Sequence, residues 1–150
     1  MRMNQTIAIE KPVASPAHLG WRLLAIIYDA VVAIALLMIS SAIVVLINAG
    51  DPVTPGGLSS FFAFLFFWIV LGAYAILSWR IGGQTLGMRA WRLKVLTATG
   101  TQPSWKSLCI RYILASSMLG LGAFWSLFDQ QRRAFYDMLS GTALVRLHTN

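Results

Sequence analysis

The chain has 150 residues, 57% of them hydrophobic and only 11% charged, against roughly 25% charged in soluble domains. That balance excludes an ordinary water-soluble domain and fits one small integral membrane unit. The formal net charge is +7, but Arg80, Arg89, Arg92, Lys94, Lys106 and Arg111 flank apolar segments, as cytoplasmic loops beside anionic head groups do. No motif for nucleic-acid readout accompanies them.

Residues 1–16 are polar, hold Pro12 and Pro16, and read as a flexible tail before a membrane domain spanning 17–147. The first apolar run, about 21–47, is WRLLAIIYDAVVAIALLMISSAIVVLI. It is far longer than the h-region of a signal peptide and reads as a retained transmembrane helix. At 100° per residue, Arg22, Ala25, Asp29, Ala33, Leu36 and Ser40 fall within about 40° of one line along the helix. Small and polar side chains on one stripe belong against protein, not lipid. Asp29 is the costly residue. An aspartate inside an apolar run either pins helix packing or binds or relays a cation.

The loop AGDPVTPGG, 49–57, has turn chemistry and no Lys or Arg. It is therefore expected outside, with the N-terminus in the cytoplasm. A second transmembrane helix follows at about 58–79, with FFAFLFFW in its outer half and Trp79-Arg80 as an interfacial anchor. The aromatic crowding reads as lipid contact and packing, not a cofactor box, because nothing polar converges on it.

Residues 80–106 mix turn signals with short alternation. Trp91 to Leu96 reads as a strand. The glycines of GGQTLG, 82–87, do not make a phosphate loop: Met88 stands where the Walker A lysine is needed, and a structural turn at the membrane surface is expected. A third hydrophobic segment, about 107–128, is broken by Gly120 and Gly122 and has basic residues on both sides. A plain span would place the distal Arg132 and Arg133 outside, against the charge bias, so a re-entrant or broken segment and a full span both stand as readings. Thr142 to Leu147 looks like a strand able to pair with Trp91 to Leu96, which requires both on one side of the membrane.

Between them, FDQQRRAFYDMLSGT brings Asp129 and Asp137 close to Arg132 and Arg133. One reading is a surface ion network. The sharper one has an aspartate from this stretch meeting Arg22 at the inner interface, so that Arg22, Asp29 and Asp129 or Asp137 share one polar cluster. The fold expected is thus an all-α membrane protein, two full transmembrane helices plus a third hydrophobic segment, with a small cytoplasmic β pairing.

Cys109 is the single cysteine, so no intrachain disulfide or cysteine metal site is available. His18 and His148 lie in opposite terminal segments, and neither HExxH nor GxSxG occurs. No enzyme activity, metal or cofactor is expected. The expected partners are membrane lipids, anionic head groups among them, and a second copy or a partner membrane protein.

Four features in order, Arg22-x-x-Ala25-x-x-x-Asp29, GGQTLG, Phe128-Asp129 with Arg132-Arg133, and Asp137-x-x-x-Gly141-Thr142, resemble the RDD family of prokaryotic membrane proteins over about residues 17–147. That family is named for an arginine and an aspartate in the first helix and a further aspartate. Arg22 and Asp29 match the first two, and Asp129 or Asp137 the third. The resemblance implies a multi-pass protein of the prokaryotic inner membrane and a transport component for a small cation or proton. The alternative is a scaffold or accessory subunit in which the Arg/Asp cluster is structural. Two positions depart from the family pattern: Met88 where a basic residue is common, and Tyr136 where a histidine often precedes the aspartate.

Overall fold

A computed structural model describes residues 14–51, 53–118, 121–130 and 133–147. In chain order it contains β1 (Ala14–Pro16), α1 (Leu19–Ile47), α2 (Leu58–Gly82), α3 (Leu86–Ala90), β2 (Leu93–Thr97), α4 (Trp105–Ser117), a 3₁₀ helix (Leu121–Leu127), α5 (Phe135–Leu139) and β3 (Thr142–Leu147).

Helices α1 and α2 are the two elements long and apolar enough to cross a membrane. They form a hairpin. The outward faces carry Val31, Met38 and Ile39 on α1 and Phe61, Phe62 and Phe64 on α2, all largely exposed, as expected of surfaces whose solvent is lipid. Every member of the predicted α1 stripe is instead shielded: Arg22, Ala25 and Ser40 are buried and Asp29, Ala33 and Leu36 are half-buried. The stripe faces protein because its small side chains admit neighbouring elements and its polar ones find partners there.

α2 runs past the predicted end at Trp79 to Gly82 and stops at Gly83, whose φ of +71° is the left-handed conformation that closes a helix; its N–H donates to the Trp79 carbonyl at 3.0 Å. The chain then turns through α3 into β2. β2 and β3 pair antiparallel with Leu93 opposite Arg146 and Thr97 opposite Thr142. The pairing expected between Trp91–Leu96 and Thr142–Leu147 is present, with its first strand shifted to Leu93–Thr97. It has a third member, giving the order β1-β3-β2. β1 is formed by residues placed at sequence level in the flexible tail. Ala14 to Pro16 lie along Leu147 to Val145; residues 1–13 are outside the described residues.

Burial alternates along the strands. Leu93 and Val95 of β2 and Thr142 and Leu144 of β3 point inward. With Ala17, Ala25, Trp79 and Leu108 the three leucine and valine side chains close a core between the sheet and the near ends of α1, α2 and α4. The third hydrophobic segment is two pieces, α4 and the 3₁₀ helix, bent by 99°. The predicted break over 119–122 coincides with this bend, although residues 119 and 120 lie outside the described residues.

Candidate functional site

Arg22, one turn into α1, is only 2% exposed. Its Nη1 donates to Asp137 Oδ2 at 2.6 Å and its Nε to the Ala17 carbonyl at 3.3 Å. Asp137 sits in the first turn of α5 and is 0% exposed. Its second oxygen accepts from Arg111 of α4, and the Ala134 N–H donates to Oδ2 at 3.0 Å. Arg111 reaches further to Thr142 Oγ1 of β3 at 2.7 Å. Its guanidinium lies over the rings of Trp79 at 5.2 Å and Tyr136 at 5.0 Å. One carboxylate thus ties α1, α4, α5 and the sheet together.

The electrostatics are those of a closed structural site. Burial pushes the Asp137 carboxyl up, but Arg111, Arg22 and the Ala134 N–H outweigh it and hold the group below the ordinary carboxylate range. The surplus positive charge, two guanidiniums to one carboxylate, is spread over two aromatic faces. Such stacking suits the planar, weakly hydrated guanidinium better than a lysine ammonium. Arg111 Nε is buried and makes no hydrogen bond among the described residues. Tyr136, the residue found in place of a histidine, supplies one of the two faces.

Asp29 is not in this cluster. It lies about 10 Å of helix rise from Arg22 and is held by the GGQTLG turn. Thr85 Oγ1 donates to Oδ2, the Gly87 N–H donates to Oδ1 at 2.9 Å, and the Tyr74 hydroxyl of α2 donates to Oδ1 at 3.0 Å. Tyr74 in turn accepts from the Leu86 N–H at 3.1 Å, and Thr85 caps α3 by accepting from the Met88 N–H at 3.3 Å. No Lys or Arg among the described residues forms an ion pair with Asp29. Gly87 is required by contact, not by torsion: a Cβ there would land on the Ala25 carbonyl oxygen and 2.8 Å from Asp29 Cγ. Met88, found where a basic residue is common, packs on the core.

From Asp29 to Ile47, the far end of α1, the rise is about 27 Å, close to the roughly 30 Å of a hydrocarbon core. The run beyond Asp29 carries no charged residue.

Asp129 stands apart from both carboxylates. It accepts from the Arg133 backbone N–H at 2.8 Å and from Arg133 Nε at 3.2 Å; Arg132 lies outside the described residues. Of the four residues singled out in the sequence, the structure joins Arg22 to Asp137 and leaves Asp29 and Asp129 in separate settings. Four partners were not anticipated: Arg111, Tyr74, Thr85 and Gly87. Arg111 carried a signal, since an arginine within the apolar segment 107–128 is as expensive as Asp29 and calls for the same explanation. Thr85 and Gly87 did not, because a turn gives no hint of which distant carboxylate it receives. Among the described residues no group of three or more His, Cys, Asp or Glu is placed to hold a metal ion.

No curated protein and no solved structure shows significant similarity to the chain. The model of the RDD family matches residues 16–141, a stretch that runs from β1 through both polar clusters to the turn before β3. With Arg22 and Asp137 joined and Asp29 on the same helix face, the chain is a multi-pass membrane protein belonging to the RDD family.

Proposed function

We propose that this RDD protein is a non-catalytic membrane scaffold or accessory subunit in which the Arg/Asp residues are structural. One observation carries the reading: both oxygens of Asp137 are taken by buried arginines from two other helices, in a site 0–2% exposed. A group that binds and releases an ion needs a vacancy and an access route; this one has its partners built in. Breaking such an arrangement is costly. The chain works in the prokaryotic inner membrane with its N-terminus in the cytoplasm, following the basic loops. Anionic lipid is its immediate partner, and a second copy or another membrane protein its functional one.

A second reading, transport of a small cation or proton, draws support from Asp29. This carboxylate is half-buried and held by neutral donors alone. A chain this small, with no internal repeat, would transport only as an oligomer or with a partner. Purified protein in sealed vesicles, with proton, sodium and potassium flux followed by dyes, separates the two. The scaffold reading expects flux no higher than in empty vesicles. Flux that disappears in a folded Asp29→Asn variant would overturn it.

A further inference from the structure

The third apolar segment has two features that a membrane span would not share. The first is the sheet. β2 precedes the segment, β3 follows it, and the two are hydrogen-bonded neighbours from Leu93 opposite Arg146 to Thr97 opposite Thr142. The chain between them must leave and return on one side of the bilayer, so a single crossing is geometrically closed to it.

The second is depth. α4 climbs along α2 in register: Arg80 donates to the Pro103 carbonyl at 3.2 Å, Tyr112 lies against Gly72 and donates to the Trp68 carbonyl at 2.7 Å, and Trp68 Nε1 donates to Ser116 Oγ at 3.1 Å. Trp68 is about 18 Å of rise from Arg80 and about 15 Å from Leu58 at the far end of α2. The tip of α4 therefore reaches the middle of an apolar layer roughly 30 Å thick and stops there. The 3₁₀ helix then leaves at 99°. Its Ala123 packs in a cluster with Leu19, and Ser126 and Asp129 line a hollow with His18 and Leu19, at the sheet end of α1. The segment has come back.

We infer that α4 and the 3₁₀ helix lie in one leaflet, the chain leaving by the face it entered, and that the aromatic side of the 3₁₀ helix is seated in the lipid of that leaflet. Leu121, Phe124, Trp125, Leu127 and Phe128 are 46–81% exposed, while Gly122, Ala123 and Ser126 of the same helix are buried against protein. The occupant of the exposed side is lipid because the patch is apolar and aromatic throughout and follows directly on the tip of α4, whose depth Trp68 fixes. Trp125 is of the type that accumulates where acyl chains meet head groups, and the Lys106 and Arg133 ends of the segment meet anionic phosphates. The wedge also brings Arg111 of α4 to the carboxylate of Asp137, so the two-armed clamp closes around a segment that never crosses.

The test uses full-length protein in sealed vesicles, with Cys109 replaced by serine and one cysteine introduced at an exposed loop position. Ala98→Cys lies in the turn after β2, Thr54→Cys in the loop between α1 and α2, and Gln130→Cys after the 3₁₀ helix. A membrane-impermeant maleimide should label Ala98→Cys and Gln130→Cys from one side and Thr54→Cys from the other. Gln130→Cys labelling with Thr54→Cys would overturn the single-leaflet path. Lipid seating is read separately, from the wild-type chain against Trp125→Phe. Acyl-chain bromine should quench the Trp125 emission and an aqueous quencher should not; the reverse pattern would overturn the lipid assignment. Because the second comparison needs no cysteine, a variant that fails to fold does not remove the test.

Discussion

Asp137 and Asp29 are both carboxylates at the sheet end of a membrane hairpin, and they are held in opposite ways. Asp137 is fully buried and neutralised by two arginines, Arg22 and Arg111. Asp29 is half-buried and held by two hydroxyls and a backbone N–H, with no cation in contact among the described residues. The difference follows from what each joins. Asp137 brings together α1, α4, α5 and β3, elements distant in sequence whose surfaces would otherwise leave two guanidiniums buried and unpaired. Asp29 receives a single turn onto α1, where short donors and a glycine allow backbone to approach backbone. Charge pairing serves the junction of several elements, and close packing serves the docking of one turn on one helix.

The largest effect is expected where the pairing is severed. Asp137→Asn leaves two buried guanidiniums without a counter-charge, a loss of roughly 3–5 kcal/mol, so folded yield in detergent should collapse. The same site fixes a pH dependence. The folded carboxyl lies below its ordinary value, so the unfolded chain takes up the proton first. Clamp stability is therefore complete above the unperturbed aspartate value of about 3.9 and is lost as pH falls through the lower folded value. Thermal midpoints should be flat from about pH 8 to 5 on this account and drop below about 4. A clamp-dependent decline already under way at pH 6 would mean that Asp137 is not the ionised partner described.

Next comes Gly87→Ala. The added methyl meets the α1 backbone at the Ala25 carbonyl and Asp29 N as well as the Asp29 side chain at Cγ. Overpacking against a rigid neighbour costs about 1–3 kcal/mol, and the turn should lift off Asp29. Hydrogen exchange of the Gly87 and Leu86 amides would report this directly. Slow exchange retained in the variant would show that α3 has room to shift without losing the carboxylate.

These two sites mark what was legible in the sequence. The two spanning helices, the stripe on α1 and the β2–β3 pairing were all readable, because each rests on local periodicity or composition. Arg22 and the candidate aspartates were visible as expensive charges in apolar surroundings. What could not be read was which of Asp129 and Asp137 meets Arg22, and that Asp29 stays outside that cluster. On a helical wheel Arg22 and Asp29 share a face and look like partners, but two turns separate them, and α5 supplies a nearer carboxylate through a chain reversal that no local pattern encodes. β1 was hidden for a related reason. Ala14, Ser15 and Pro16 become a strand only because β3 offers an unpaired edge. The GGQTLG turn was legible as a turn, yet its role as the receptacle for Asp29 depends on packing between residues more than fifty positions apart.

Asp29→Asn should have a smaller effect than either change above. The amide keeps the shape and one acceptor oxygen, but its nitrogen cannot accept, so one of the donors from Thr85, Gly87 or Tyr74 loses its partner. An unsatisfied donor in a partly shielded site costs about 1–2 kcal/mol. The variant should fold, with a lowered thermal midpoint, and Tyr74→Phe should be partly redundant with it. If the two changes add fully, they do not act through the shared hydrogen bond, and the local account of Asp29 fails.

The smallest effect is expected at Asp129. Its partner Arg133 is 36% exposed, so solvent screens the pair, and exposed ion pairs contribute about 0.2–1 kcal/mol. Asp129→Asn keeps an oxygen able to accept from the Arg133 backbone N–H, now 2.8 Å away. The thermal midpoint should therefore move by less than about 3 °C, the scale of 1 kcal/mol in a chain of this length. Asp129 and Asp137 stand on either side of the same arginine-rich turn, and from the sequence either could have been the residue that meets Arg22. An Asp129 variant as damaging as Asp137→Asn would move the clamp's carboxylate to the wrong aspartate; a silent one leaves Asp137 as the residue on which the fold closes.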